Sequence, residues 1–468
     1  MVQGRTRNDQ LAALIDEARW SHGQAASALV RVALENGADE LAGVGRSHVS
    51  HWVRGTRPSG RSSVLLCEAL SRRLGRVVSL EDAGLGTDQQ TSELTADWHT
   101  DTLTALAALG SVDLDMDRRR ALSALTYGVA AAALPSDGWW GQMAERGRHR
   151  NTSGGRVGRG DVDAVQDMVA MFSQMDQRRG GGHARATVVQ YLSSDVAKHL
   201  TGTFHDDQVR RDMFSAASEL AYLSGWMAFD NSEHATAQQY FSVATKLAAE
   251  AGDAPMAGHI LRAMAHQAVD LGHPSRALKI ANASVDGPRY VEASPRERAL
   301  LGVVHARALA AHGDKNKAVA ALNRAESDLG AAGPGDNEPR RVFFFSEASL
   351  AHETACTLRD IGDLDGAVRE FRRSVRTRQA STFTRTHAVT LGYLGSVQVE
   401  QGNLDNGCAT WSQALDIMDG IRSGRTRQTA RDMRAALSPF RRRHVRAAEE
   451  LDARAAAYLD TTGGLSTR

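Results

Sequence analysis

At 468 residues the chain is too long for one ordinary hydrophobic core, so two or three domains are expected. The net charge of +1 decides nothing about nucleic acid, because residues 1–76 alone hold eleven arginines against seven carboxylates, about +4, which the remainder offsets. Cys67, Cys356 and Cys408 form no CxxC pair and support neither a disulfide framework nor a thiolate zinc site; no apolar run approaches a membrane span or a signal peptide, so a cytoplasmic, membrane-free location is expected.

Residues 1–86 read as four or five short helices. Asn8 is placed to cap a helix through Arg19 that buries Leu11, Leu14 and Ile15. Ser21 opens a second, with Ala25, Ala26, Leu29 and Val32 at helical spacing, and a polar connection from Asn36 to Gly45 leads to a third. This third helix begins RSHVSHWVRG at Arg46. Val49, Trp52 and Val53 fall at i, i+3 and i+4 as a buried stripe, and Ser47, His48, Ser50, His51 and Arg54 face outward between them. Gly55 and Pro58 stop it in the order expected of a helix end. Ser62 or Ser63 caps a fourth helix, which Gly75 ends. A helix that hides Val and Trp and shows Ser, His and Arg suits the major groove of DNA; the bland alternative is a solvated face.

Residues 87–160 are expected to be a helical connector. DRRRALSALTYGVAAAAL, 117–134, is its clearest helix and Trp139–Gly160 its most loop-like stretch. From 161 to 468 the pattern is nearly unbroken helix, beginning with helices at 161–179 and 183–200. The RRGGGHARA segment between them lacks the order of a phosphate loop and reads as a flexible interhelical turn.

Helical pairs then recur, separated by polar turns. A small residue returns as Ala237, Ala277, Ala318, Ala367 and Gly407, at spacings of 40, 41, 49 and 40 residues. Large residues follow four positions later, including Phe241, Phe371 and Trp411, an order that lets neighbouring helices approach and lock. This array, 207–421, resembles tetratricopeptide repeats with a lengthened period, closed by capping helices from Arg425 to Leu459. The fold class expected is all-α: an N-terminal helix-turn-helix domain followed by an α-solenoid.

The run from Ser47 to Pro58 resembles the XRE-type (lambda-repressor-like) helix-turn-helix through Val49, Ser50, Trp52, Arg54, Gly55 and Pro58, with Val53 where that family often has Glu. The resemblance implies contacts to double-stranded DNA: Ser47, His48 and His51 at base edges, Ser50 on the same face, and Arg46, Arg54, Arg57 and Arg61 on phosphates. MDRRRALSAL, MFSQMDQRRGGGHARA and ASELAYLSGWMAFDNSEHATAQQYF extend the likeness to the XRE/tetratricopeptide regulators of actinomycetes, some of which repress sporulation and antibiotic production. What this implies is a homodimeric transcriptional repressor whose array senses a peptide or small molecule. The alternative is a tetratricopeptide interaction scaffold whose head has lost DNA binding.

In tetratricopeptide proteins the first helix of each pair carries the concave face, which here implies Glu219, Tyr222, Trp226, His259, Arg262, His266, Arg307, His352 and Arg359 as ligand-binding residues. Aromatic, imidazole and guanidinium groups on one surface suit a peptide or an anionic small molecule. No HExxH, GxSxG or P-loop occurs, and the histidines show no ligand-like spacing. The chain is therefore expected to be no enzyme and to need no metal or cofactor.

Overall fold

The computed structural model describes residues 6–35, 38–86, 98–115, 134–150, 154–333 and 338–463. It is all-α apart from one two-residue parallel bridge, Arg156–Val157 against Thr203–Phe204. The predicted helix at 117–134 lies outside the described residues, except for Leu134.

Four helices build the head: α1 (Asp9–Glu17), α2 (His22–Glu35), α3 (Arg46–Val53) and α4 (Ser62–Leu74). The Asn8 side chain accepts from the Leu11 amide at 2.9 Å, and its amide group donates to the Ala83 carbonyl at 2.9 Å. One residue thus starts the first helix and closes the domain. Ser21 and Gln24 form a reciprocal capping box at the start of α2. The fourth helix departs from expectation. Arg61 occupies its N-cap without a side-chain bond, and Ser62 is buried as the first helical residue. Leu11, Leu14, Leu29, Val49, Trp52, Leu65 and Leu70 share a core separate from that of the array.

The connector supplies α5 (Thr102–Leu114) and α6 (Asp137–Arg148). The second corrects the loop expected over Trp139–Gly160. Its glycines blur the helical period, but Trp139 anchors it by packing with Met143 and Ala249 and donating Nε1–H to the Trp98 carbonyl at 3.1 Å. Then come α7 (Arg159–Arg179) and α8 (Arg185–Tyr191), which continues through a π turn at Leu192–Val196 into α9 (Ala197–Leu200).

Helical hairpins follow in order: α10 (Asp207–Asp230) with α11 (His234–Ala251), α12 (Ala254–Asp270) with α13 (Pro274–Ser284), and, after the short α14 (Pro288–Val291), α15 (Pro295–His312) with α16 (Lys315–Gly330). The next are α17 (Glu347–Ile361) with α18 (Leu364–Thr377), α19 (Thr384–Glu400) with α20 (Leu404–Met418), and α21 (Gly424–Arg441) with α22 (Arg446–Gly463). The periodic small residues lie on the second helix of the first five hairpins, and Ala237, Ala277, Ala318 and Ala367 are fully buried. Two of their large partners, Phe241 and Trp411, meet glycines on the first helix. A Cβ at Gly225 would lie 2.8 Å from the Phe241 ring, and one at Gly395 would run into the Trp411 indole, whose Nε1–H donates to the Gly392 carbonyl at 2.9 Å. Close packing of this kind tolerates little added volume.

The array closes on itself. Arg422 donates its amide to the Arg179 carbonyl at 2.8 Å, and Gly182 donates to the Arg422 carbonyl at 3.0 Å. Gly181 donates to Asp230 Oδ2 at 2.9 Å. The glycine run at 180–182 is therefore not the flexible turn its composition suggests; it is the tight joint between the two ends of the array. Side chains at 180, 181 and 424 would collide with the backbone of Arg422, Met227 and Asn231.

Replacing Gly395 by Ala is expected to destabilise the protein by about 1–3 kcal/mol through overpacking against Trp411. Urea unfolding of the two proteins measures it; an unchanged midpoint would remove the steric account of the repeat.

Candidate ligand cavity and DNA-reading helix

Closure of the array turns its concave groove into a cavity of about 100 Å³. First helices of the hairpins supply Glu219, Tyr222 and Trp226 from α10, Arg262 and His266 from α12, and His352 and Glu353 from α17. Six sequence-predicted residues therefore share one space: Glu219, Tyr222, Trp226, Arg262, His266 and His352. The other three do not line it. His259 stands behind Arg262 with Nε2 3.1 Å from its guanidinium, and Arg307 is occupied by Asp270 at 3.0 Å and Glu353 at 3.2 Å. Arg359, in the last turn of α17, pairs with Asp360 and lies over the Tyr393 ring at 5.6 Å, so the register slips off the cavity there.

Several lining residues escaped the sequence reading. Asp176 comes from α7, Arg385 from α19, Arg425 from α21, and Arg378 from the residue that caps α18. The segment 338–346 folds inward and brings Arg341, Phe343, Phe344 and Phe345 to the wall. Its one visible signal was the 49-residue spacing between Ala318 and Ala367, which holds the extra length.

Most of the cavity's arginines are neutralised on the spot. Arg341 lies 2.7 Å from Glu297, 3.5 Å from Glu219 and 3.7 Å from Asp253. Arg385 bridges Asp176 at 3.0 Å and Asp230 at 2.9 Å, and Arg425 faces Asp270 at 3.6 Å. Burial pushes Asp176 up to about 6, with Arg385 opposing and Asp230 adding to the rise. Burial also acts to raise Glu353, yet Arg307 with its neighbours holds it down at about 2. Arg262 and Arg378 differ. Arg262 donates to the Tyr222 hydroxyl at 2.8 Å and sits 5.5 Å from the Trp226 ring centroid. Arg378 donates to the Ala348 carbonyl at 2.9 Å and Ser374 Oγ at 3.0 Å. Neither makes an ion pair with a carboxylate among the described residues, and the Nε of each is buried without a hydrogen-bond partner.

Two buried histidines, His259 behind the wall and His352 in it, are held below the usual imidazole range. Burial, with the charges of Arg262 and Arg341, lowers His259 well below the usual imidazole range; burial carries His352 down to about 3. Because a guanidinium only donates, Nε2 of His259 must accept from Arg262, leaving its proton on Nδ1. Such a site can bind and orient a polar, ring-bearing molecule.

In the head, Val49, Trp52 and Val53 are buried, and Arg46, Ser47, His48, His51, Arg54 and Arg57 are exposed on and just beyond α3. Ser50 is half-buried. His48 spends Nδ1 accepting the Gly45 amide at 3.1 Å, which leaves Nε2 for another partner. Arg61 is also half-buried; burial lowers its pKa and the charge of Glu40 opposes the change. The head meets the array through a buried polar cluster. His273 Nε2 lies 2.6 Å from Glu68, and Arg72 binds both Glu68 and Glu35. Burial works to raise Glu68, but His273 and Arg72 outweigh it and lower its pKa.

A family model described as the SP15 N-terminal domain matches residues 11–86. No curated protein matches the chain. Among solved structures, the chain is similar to a signal transduction ATPase with numerous domains (STAND) protein with a tetratricopeptide repeat sensor from Pyrococcus horikoshii. The two share 10% identity with a TM-score of 0.40, over 95% of this chain and 76% of that one. The exclusion of an enzyme from the sequence is withdrawn, since that neighbour is titled an ATPase; a likeness at this level carries no activity to the chain. The chain is a helical repeat protein, and no helix among the described residues is long and apolar enough to cross a membrane.

The depressed His352 sets a pH dependence. An ordinary unfolded histidine titrates near 6.5 and this one, folded, at about 3, so its contribution to stability is whole above pH 6.5 and is lost as pH falls towards 3. Asp176 acts oppositely over part of that interval. His352→Gln is expected to remove up to about 1.4 kcal/mol per pH unit of the stability slope between about pH 6 and 4.5, read from urea unfolding. Parallel slopes for the two proteins would mean His352 titrates normally.

Proposed function

We propose that the chain is a sequence-specific, XRE-type DNA-binding regulator, cytoplasmic and homodimeric, acting as a repressor, with its closed array as the sensor domain. The observation that carries the reading is the two-faced α3: Val49, Trp52 and Val53 sit in the head's own core, and Arg46, Ser47, His48, His51, Arg54 and Arg57 face solvent. A helix of this kind reads base edges from its exposed face and takes register from arginine–phosphate contacts. The resemblance to actinomycete regulators supports developmental or secondary-metabolism genes as targets. The domains proposed are 1–86 for DNA, 87–160 as connector and 161–468 for sensing and dimer formation.

The buried link between Glu68 and His273 supports coupling of the two parts, because His273 follows α12 by three residues and α12 carries Arg262 and His266 into the cavity. A ligand regulates such a pair only by favouring one arrangement over the other.

Genome-wide DNA capture with the purified full-length protein, followed by footprinting, tests the reading. The expected result is a protected palindrome with half-sites a whole number of helical turns apart. Retention of random DNA alone, with no footprint, overturns it. Replacing His48 and His51 by Ala is expected to relax sequence preference. Arg54→Ala is expected to weaken all sites and reduce the salt slope by about 1. Light scattering of the free protein checks the dimer.

A further inference from the structure

Two arginines in the cavity wall lack what every other arginine there possesses. Arg262 is 2% exposed and Arg378 is 8% exposed, yet among the described residues each meets only neutral acceptors: a phenol and an imidazole for one, a carbonyl and a hydroxyl for the other. Each also aims a buried Nε–H at no acceptor. Burying a guanidinium without an anion is costly, and a buried polar group left unsatisfied calls for a partner. The surrounding wall has the complementary character. Trp226, Phe343 and Phe344 line the same space with aromatic surface.

We infer that the cavity binds a small organic anion, a ring-bearing carboxylate or a close relative, whose acidic group is held by Arg262 and Arg378 and whose flat body packs on Trp226 and Phe344. The assignment rests on the reading of the cavity as the sensor site and names the ligand class. Arg341, Arg385 and Arg425 are already matched by carboxylates and serve to hold the wall. Burial lowers Arg378 to about 10, in keeping with a cation short of counter-charge, though Glu353 pulls the other way. A planar fork of donors such as guanidinium suits a carboxylate better than a point charge does.

The test uses the full chain and two fluorescent probes that share a ring system. 8-Anilinonaphthalene-1-sulfonate carries the anion, and N-phenyl-1-naphthylamine lacks it. The sulfonate is expected to bind saturably, one per chain, at least about tenfold tighter than the neutral probe, in line with a charge-assisted hydrogen bond. Benzoate is expected to displace it and benzamide is not. Arg262→Gln and Arg378→Gln are each expected to weaken the sulfonate about tenfold or more with little effect on the neutral probe. Arg359→Gln, outside the cavity, is expected to leave both unchanged. Melting temperatures verify that the variants fold, and the benzoate–benzamide comparison needs the wild-type protein alone.

Equal binding of the two probes, or displacement by benzamide as readily as by benzoate, overturns the anion while leaving a ligand cavity. Binding of neither probe overturns both. Loss of DNA binding in the capture experiment, with sulfonate binding intact, refutes the regulator and spares this inference.

Discussion

The closed array depends on one joint. The glycines at 180–182 press against Arg422 and Met227, and two backbone hydrogen bonds tie Arg179 and Gly182 to Arg422. Within the same closure, Arg385 bridges Asp176 of α7 and Asp230 of α10. Helical hairpins stacked in sequence contact only their neighbours, so an open solenoid presents its concave face to solvent. Joining the last hairpin to the first converts that face into an interior. Polar side chains that would otherwise be hydrated then have to find partners in the wall.

That conversion explains the ion network. Burying a charge is costly, and breaking one partner of a buried pair costs more than the pair contributes when intact. The wall and the layer behind it accordingly carry matched groups: three carboxylates around Arg341, two around Arg385, and, behind the wall, Asp270 with Glu353 around Arg307. Such buried pairs are weak evidence of net stability. They join helices that face one another across the cavity.

Local steric rules made much of this legible from the residues alone. The repeat register showed because a small–large order recurs along the second helices, locked by a glycine opposite the large residue at Gly225–Phe241 and Gly395–Trp411. Counting along the first helices then brought Glu219, Tyr222, Trp226, Arg262, His266 and His352 to one surface; it missed at His259 and Arg307, which stand off the lining, and at Arg359, in the last turn of α17. Closure itself left no periodic trace. Asp176, Arg385 and Arg425 lie in helices hundreds of positions apart or outside the registered hairpins, and their proximity is a property of the ring. The Phe343–Phe345 strap was hidden for a related reason: surplus length between repeats announces a loop without saying which way it folds. Around Trp139, glycines erased the helical pattern and indole packing restored the helix.

The head is attached differently from the way the array is closed. Its core is its own, and the described contact with the array centres on polar groups: Glu68 with His273, Arg72 with Glu68 and Glu35, and the His234 ring with the Glu35 backbone. A domain held by a few buried polar contacts has a small set of defined seats, because each alternative seat must pair the same charges again. The seat residues also belong to the cavity's own helices. Asp270 ends α12 beside His266, Arg307 and Arg425, and His273 follows it by three residues. His266 and Arg425 thus lie, through Asp270, within one short segment of His273 and its contact with Glu68. The path from cavity to head is a single turn of backbone with an ionisable contact at either end, short enough that no long chain of packed side chains is needed to link them.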